Sequence, residues 1–249
     1  MKKIAILLLA LAPALCFADT AAAPRTLTTD VSAAGVNRLE LSVGVGEVHV
    51  TISPDDSVHA QVTLKQKEQE FLWFFHWMSE GTAKEIADAT LKQEKTGDAL
   101  ALSLDINDDG NNDDVKQVWQ VQLPARLMLK TDMKVGELTV DGVAGGVDAR
   151  LNVGELSINV PHGAVHGDVN VGELRVVSNS TQPGDLSVSS TIGEASIFMN
   201  GKFVSHGGEH SGIGKSLSIV GTGPDEMHLS VNVGEAMLKL VPATDSPTK

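Results

Sequence analysis

An all-β fold, a single-domain β-solenoid with coils of 18–21 residues, is predicted by three features of the 249-residue chain. A phrase of the form Val-Gly-Glu-Leu recurs, with its glycine at Gly46, Gly136, Gly154, Gly172, Gly193, Gly214 and Gly234; from Gly136 onward the intervals are 18, 18, 21, 21 and 20 residues. Within a copy such as "VGELTV", Leu138 and Val140 alternate with Glu137 and Thr139, the period of a strand with one buried face. Turn signals such as "PHG", "QPGD" and "GTGPD" separate the copies, and helix formers are scarce across this half. A unit of about twenty residues cannot bury its apolar side alone, so successive copies are expected to stack, each strand on its counterpart in the next coil. Six coils about 4.8 Å apart make a rod about 29 Å tall. A β-sandwich of short hairpins is the alternative, which the near-constant spacing disfavours.

The opening "MKKIAILLLALAPALCFADT" carries Lys2 and Lys3, an apolar run from Ile4 to Leu15, and small residues ending at Ala18. This is the pattern of a secretory signal peptide over residues 1–18, with the cut after Ala18. The apolar run falls short of the roughly 20 residues that a membrane-spanning helix needs. A lipoprotein with acylated Cys16 would want a small residue before the cysteine, where Leu15 stands. Residues 19–26 read as a linker, 27–242 as the β domain and 243–249 as a disordered tail.

Cys16 is the only cysteine, so cleavage leaves a chain with no disulfide, no thiolate metal site and no cysteine nucleophile. The formal charge is −13, from 19 basic and 32 acidic residues. Nucleic acid and anionic lipid need clustered Lys and Arg, so the balance argues against both. An acidic, exported protein, periplasmic or secreted, is expected.

In the N-terminal half, alternating "RLELSV" and "SVHAQVTL" flank the VGEV at Val45, which ties this half to the same sheet system. At about residues 68–94 the pattern breaks in "EFLWFFHWMSEGTAKEIADATLKQE". Phe71, Trp73, Phe74, Phe75 and Trp77 crowd into seven positions there, and the Ala-rich stretch after Ser79 or Thr82 has helix-capping character. A short helical insertion is predicted. Its apolar surface is broader than one core stripe requires, so it either caps the end of the solenoid or presents an aromatic patch. Such a patch could dock an envelope protein, a second copy of the chain, or the membrane interface, where Trp is favoured.

"DINDDGNND" follows, with Asp105, Asn107, Asp109, Gly110 and Asp113 at positions 1, 3, 5, 6 and 9 of a calcium loop. Lys116 stands at position 12, where a bidentate Glu is wanted, and both flanks read as strands. A polar hairpin loop is the simpler expectation and calcium the alternative; no other cofactor is expected.

The stretch "VQLPARLMLKTDMKVGELTVDGVAGGVDARLNVGELSI", a strand ending in Leu-Pro-Ala followed by Gly-acid strand repeats, resembles the bacterial putative-adhesin domains of unknown function, over about Leu39 to Leu240. The resemblance implies an extracytoplasmic, right-handed β-solenoid-like fold loosely linked to adhesion or envelope stress. It carries over no catalytic residues. Most relatives place Asp or Ser where this chain has Glu.

Those glutamates, Glu47, Glu137, Glu155, Glu173, Glu194 and Glu235, share one register, which Lys215 interrupts. Stacked carboxylates about 5 Å apart repel by about 0.8 kcal/mol in water and by more if buried, so they are expected to face solvent. They either keep a face of the solenoid soluble or form a stripe for a cation or basic partner. Asn152, Asn170 and Asn232, two residues before their glycines, are expected to form a hydrogen-bonded ladder. Gly136 is read as a bend that turns Val135 toward the core. "HGGEH" from His206 to His210 matches the reversed zinc-peptidase pattern, which works only on a helix; Gly207 and Gly208 inside it argue for a loop. His162 and His166 read likewise as solvated.

Solenoids host polysaccharide-acting enzymes, but acid and base roles need carboxylates in different environments, and this column is uniform. No small-molecule substrate is indicated. The expectation is a non-enzymatic envelope protein, an adhesin-like binding or scaffold module working through the aromatic patch or the acidic face. The alternatives are a calcium-binding envelope protein and a polysaccharide-acting β-helix enzyme.

Overall fold

The computed structural model describes residues 24–66, 79–106, 115–204, 210–211 and 214–241. Among the described residues the protein is all-β with one short helix, α1 (Ser79–Asp88). In chain order the strands are β1 (Arg25–Ser32), β2 (Arg38–Ile52), β3 (Ser57–Gln66), β4 (Thr90–Thr96), β5 (Ala99–Asp105), β6 (Val115–Leu123) and β7 (Met128–Asp141). They continue as β8 (Val147–Val160), β9 (Val165–Ser178), β10 (Pro183–Met199), β11 (Lys202–Phe203), β12 (His210–Ser211), β13 (Gly214–Ile219) and β14 (Asp225–Leu240). All belong to one mixed sheet of 14 strands, whose main path runs β1-β3-β6-β2-β7-β8-β9-β14-β10-β13-β12.

The centre of that path is a run of parallel strands, β2, β7, β8, β9, β14 and β10. The phrases pair like with like, Gly46 on Gly136, Gly154, Gly172, Gly234 and Gly193 in turn. Parallel pairing forces each strand to fold back. Straight, β7 would span about 46 Å, whereas the link 142–146 reaches at most about 20 Å, yet Val147 lies beside Leu129. The return is made at the glycine corner. There the glycines hold φ between +134° and +156°, a region L side chains rarely adopt.

Around each corner the chain buries one face. Leu138, Leu156, Leu174 and Ala236 are at most 1% exposed, as are Val140, Ile158, Val176 and Leu238 two residues on. These join Trp119, Leu39, Leu64 and Leu129 in one continuous core. Trp119 donates its Nε1–H to Gln117 Oε1 at 2.9 Å, so the largest buried ring keeps its polar atom satisfied. Replacing Leu156 by Asp puts an unpaired charge into this core and should cost at least about 4 kcal/mol, whereas Glu155→Gln on the exposed side should stay within about 0.5 kcal/mol. Thermal melting of the two variants reads the difference; the opposite order would reverse the assigned faces.

Three expectations about the repeat are corrected. Stacking does not follow chain order, because β14 lies between β9 and β10. The Gly214 copy forms no parallel layer; it opens β13, which runs antiparallel along β10, and the sixth layer is supplied by β2. Val135 does not turn inward. Met133 and Leu138 are both buried, an odd separation that slips the alternation by one residue at the corner and leaves Lys134, Val135 and Glu137 exposed.

The C-terminal end of the insertion is strand, where its composition suggests helix. Helix α1 ends at Asp88, and Thr90–Thr96 is strand β4, antiparallel to β5. Ile86 is 3% exposed and Ala89 fully buried, so the end of the helix docks on the core. Arg25 donates to the carbonyl oxygens of Ile86 and Ala87, satisfying acceptors that a helix C-terminus leaves open.

Candidate functional site

The corner of the parallel layers is a convex ridge made of three columns. In the middle stand Val135, Val153, Val171, Val233 and Ile192, which are 37–44% exposed although large and aliphatic. They lie in register on consecutive strands, with Val45 of β2 as a half-buried sixth member. Two residues further along each strand stand Glu47, Glu137, Glu155, Glu173, Glu235 and Glu194, also in register. One residue before each of three valines stands the asparagine ladder. Asn170 Nδ2 donates to Asn152 Oδ1 at 3.0 Å, and Asn232 Nδ2 donates to Asn170 Oδ1 at 3.1 Å.

The charge along the ridge is uneven. Lys116 Nζ lies 2.6 Å from Glu47 Oε1, and this hydrogen bond, helped by the lysine's charge, holds the Glu47 carboxyl below its ordinary range. Glu173 has Arg175 Nη2 at 3.7 Å. Among the described residues, Glu137, Glu155, Glu194 and Glu235 have no ion pair. All but Glu47 are exposed, as the repulsion argument expects, and Glu47 is half-buried beside its lysine.

A corner glycine is needed for a second reason besides φ. A Cβ on Gly154 would stand 1.8 Å from the carbonyl oxygen of Gly136, and the same contact recurs from Gly172 to Gly154. The layers therefore touch backbone to backbone at the corner, and the valines and glutamates on either side are carried outward.

A separate groove of about 500 Å³ crosses β1, β3, β6 and β2, lined by Asp30, His49, His59, Gln61, Gln120 and Gln122 among others. His59 is clamped within it. Its Nδ1 lies 2.5 Å from Asp30 Oδ1 and its Nε2 3.0 Å from Asp55 Oδ1. Only an imidazolium donates from both nitrogens, so the hydrogen bonds to Asp30 and then Asp55 raise the His59 pKa, and the bond from His59 in turn lowers that of Asp55. With both nitrogens engaged the ring is a poor base or metal ligand.

The stability linked to this clamp has a definite sign. The raised histidine contributes fully below its unfolded value near 6.5 and loses its contribution as pH rises through the higher folded value. Asp55 contributes above 3.8 and loses it as pH falls through its lowered folded value. The melting difference between wild type and His59→Asn should therefore be largest at pH 5–6 and shrink toward pH 9. A pH-independent difference would contradict the clamp.

The remaining sequence candidates are placed as follows. Phe71, Trp73, Phe74, Phe75 and Trp77 lie outside the described residues, as do Asn107, Asp109, Asp113 and the signal segment. Asp105, the first residue of the calcium-loop pattern, is engaged with Lys92 Nζ at 2.7 Å. Among the described residues no group of three or more His, Cys, Asp or Glu is arranged to hold a metal ion, and no helix is long and apolar enough to cross a membrane. His210 begins the two-residue strand β12, where the zinc-peptidase pattern needs a helix, and His206 lies outside the described residues. His166 is exposed on a strand, 3.0 Å from Asp168 Oδ2 and next to His228 of the adjoining layer; it is not a loop residue. His162 is exposed in the turn before it.

The exposed aliphatic column and the His59 clamp were not anticipated. The column had a readable signal, since Leu151 and Leu156 are five apart and a regular strand buries only even spacings. The clamp had none, because Asp30 and His59 meet only through the register of β1 on β3.

No protein-family profile and no curated protein matches the chain. Among solved structures, the chain is similar to a "putative cell adhesion protein" from Clostridium sporogenes, at 15% identity and a TM-score of 0.49, covering 88% of this chain and 100% of the other. A "putative adhesin" from Bacteroides fragilis follows at 13% identity and a TM-score of 0.26, over 87% and 97% of the two chains. A "putative lipid binding protein" from Parabacteroides distasonis has 11% identity and a TM-score of 0.24, over 88% and 97%.

Proposed function

We propose that this chain is a non-enzymatic, exported protein of the cell envelope, a β-solenoid that works as an adhesin-like binding or scaffold module through its corner ridge. The observation that carries the reading is the unbroken column of exposed Val135, Val153, Val171, Val233 and Ile192. A corner that served only solubility would favour polar β-branched residues such as Thr, whereas every layer here has an aliphatic one. The carboxylate column beside it supplies orientation and excludes like-charged surfaces. The groove offers no counterpart, since its one perturbed titratable group is locked between two carboxylates.

Co-sedimentation of purified, labelled protein with isolated cell envelopes tests the reading. Wild type should sediment with the envelopes. A variant with Val153, Val171 and Val233 all changed to Thr, similar in shape and in strand preference, should stay in the supernatant while melting like wild type. Equal sedimentation of the two proteins, or none by wild type, would overturn the role of the ridge.

A further inference from the structure

The occupant of the ridge can be narrowed by its shape and charge, and this step rests on the binding role proposed above. We infer that the ridge receives a cationic amphipathic helix of a partner protein, laid across the layers with its aliphatic side on the valine column and its basic flank on the glutamates.

The ridge runs across the strands, and its inner layers β7, β8, β9 and β14 are each hydrogen-bonded in register to a neighbour on either side. A partner lying along the ridge crosses these strands at a steep angle and meets no free main-chain edge of theirs, so it docks by side chains. The six layers from β2 to β10 are separated by five spacings of about 4.8 Å, giving a strip about 24 Å long. A helix of about 16 residues covers that length, advancing about one turn per layer.

The two flanks of the aliphatic column differ. Carboxylates line one side, and the other side is the amide ladder of Asn152, Asn170 and Asn232, with exposed Lys134 in the equivalent place before Val135. A matching helix therefore carries Lys or Arg on the carboxylate flank and polar residues without positive charge on the other. At the β2 end Lys116 neutralises Glu47, and in the middle Arg175 lies 3.7 Å from Glu173, so the attraction is strongest at Glu137, Glu155, Glu235 and Glu194. A second copy of this chain fits poorly, because two such columns would face each other on molecules of net charge −13, and anionic lipid is repelled for the same reason.

Fluorescence anisotropy with a labelled 18-residue helical probe, Leu along one face and Lys along one flank, tests the inference on the full chain. Wild type should bind the probe, and binding should weaken sharply as ionic strength rises from about 0.01 M to about 0.15 M. The Val153→Thr, Val171→Thr, Val233→Thr variant should bind about tenfold more weakly. Glu155→Gln, Glu173→Gln and Glu235→Gln together should weaken binding by a similar factor and flatten its salt dependence, with melting unchanged. Equal binding of a probe with Glu in place of Lys, an unaffected glutamine variant, or a ridge-dependent dimer of the chain would overturn the inference. If envelope sedimentation depends on the valines but the cationic probe does not bind, the choice of occupant fails while the ridge remains the binding surface. If sedimentation is independent of the valines, the ridge itself is excluded.

Discussion

Gly154→Ala lowers the stability of the protein by about 3–5 kcal/mol, more than most single substitutions of so small a side chain. Two costs combine. Alanine at φ +138° occupies a strained backbone region, at about 1–3 kcal/mol, and its Cβ would sit 1.8 Å from the Gly136 carbonyl oxygen, a backbone atom that no rotamer change can move aside. Relief requires layers β7 and β8 to separate at the corner, which also opens the contact between Leu138 and Leu156 beneath. Chemical denaturation gives the size of the effect. Gly97→Ala is the control, because that glycine shares a positive φ of +64° but a Cβ there meets nothing within 4 Å, so only the backbone cost remains. Equal losses at the two sites would show that the layers do not press on each other at the corner.

Truncation after residue 223, which deletes β14, abolishes the cooperative fold of the C-terminal layers. Were the layers stacked in chain order, the last strand would be an end layer whose loss exposes one face. Instead β14 pairs with β9 along one side and with β10 along the other, so its removal unpairs both and splits the stack internally. Met227, Leu229, Val231, Ala236 and Leu238 leave the core with it. Hydrogen exchange should show β9, β10 and β13 losing protection together, with β1, β3 and β6 retaining more of theirs. Closure of β10 directly onto β9 with near-native protection would contradict the need for the inserted strand.

Legibility in the sequence follows from how local each feature is. The alternation of Leu138 and Val140 with Glu137 and Thr139 is a property of one strand, so the all-β class and the buried positions could be read from it. The corner glycines were visible because they recur. Stacking order was not visible, since nearly identical corners at Gly172, Gly193 and Gly234 carry no instruction about which neighbour each prefers. In the fold β10 pairs antiparallel with β13 on its outer side, and β14 fills the place between β9 and β10. The exposure of Val135 escapes the sequence for a different reason. Gly136 reads as a bend that turns Val135 inward, whereas its positive φ shifts the burial phase by one residue and leaves Val135 outside, as the paired burial of Met133 and Leu138 records. For the glutamates, pairwise repulsion was sufficient to place them in solvent, but the lysine that neutralises Glu47 lies 69 residues away in sequence and could not be foreseen.

The claim that the ridge is the working surface is tested most directly by methyl NMR of the valine-labelled protein during titration with the cationic helical probe. The methyls of Val153, Val171 and Val233, which are exposed at the corner, should shift together and saturate together, while those of the buried Val140, Val176 and Val188 stay in place. Shifts confined to the groove residue Val121 or to the core, with the corner methyls unmoved, would contradict the account.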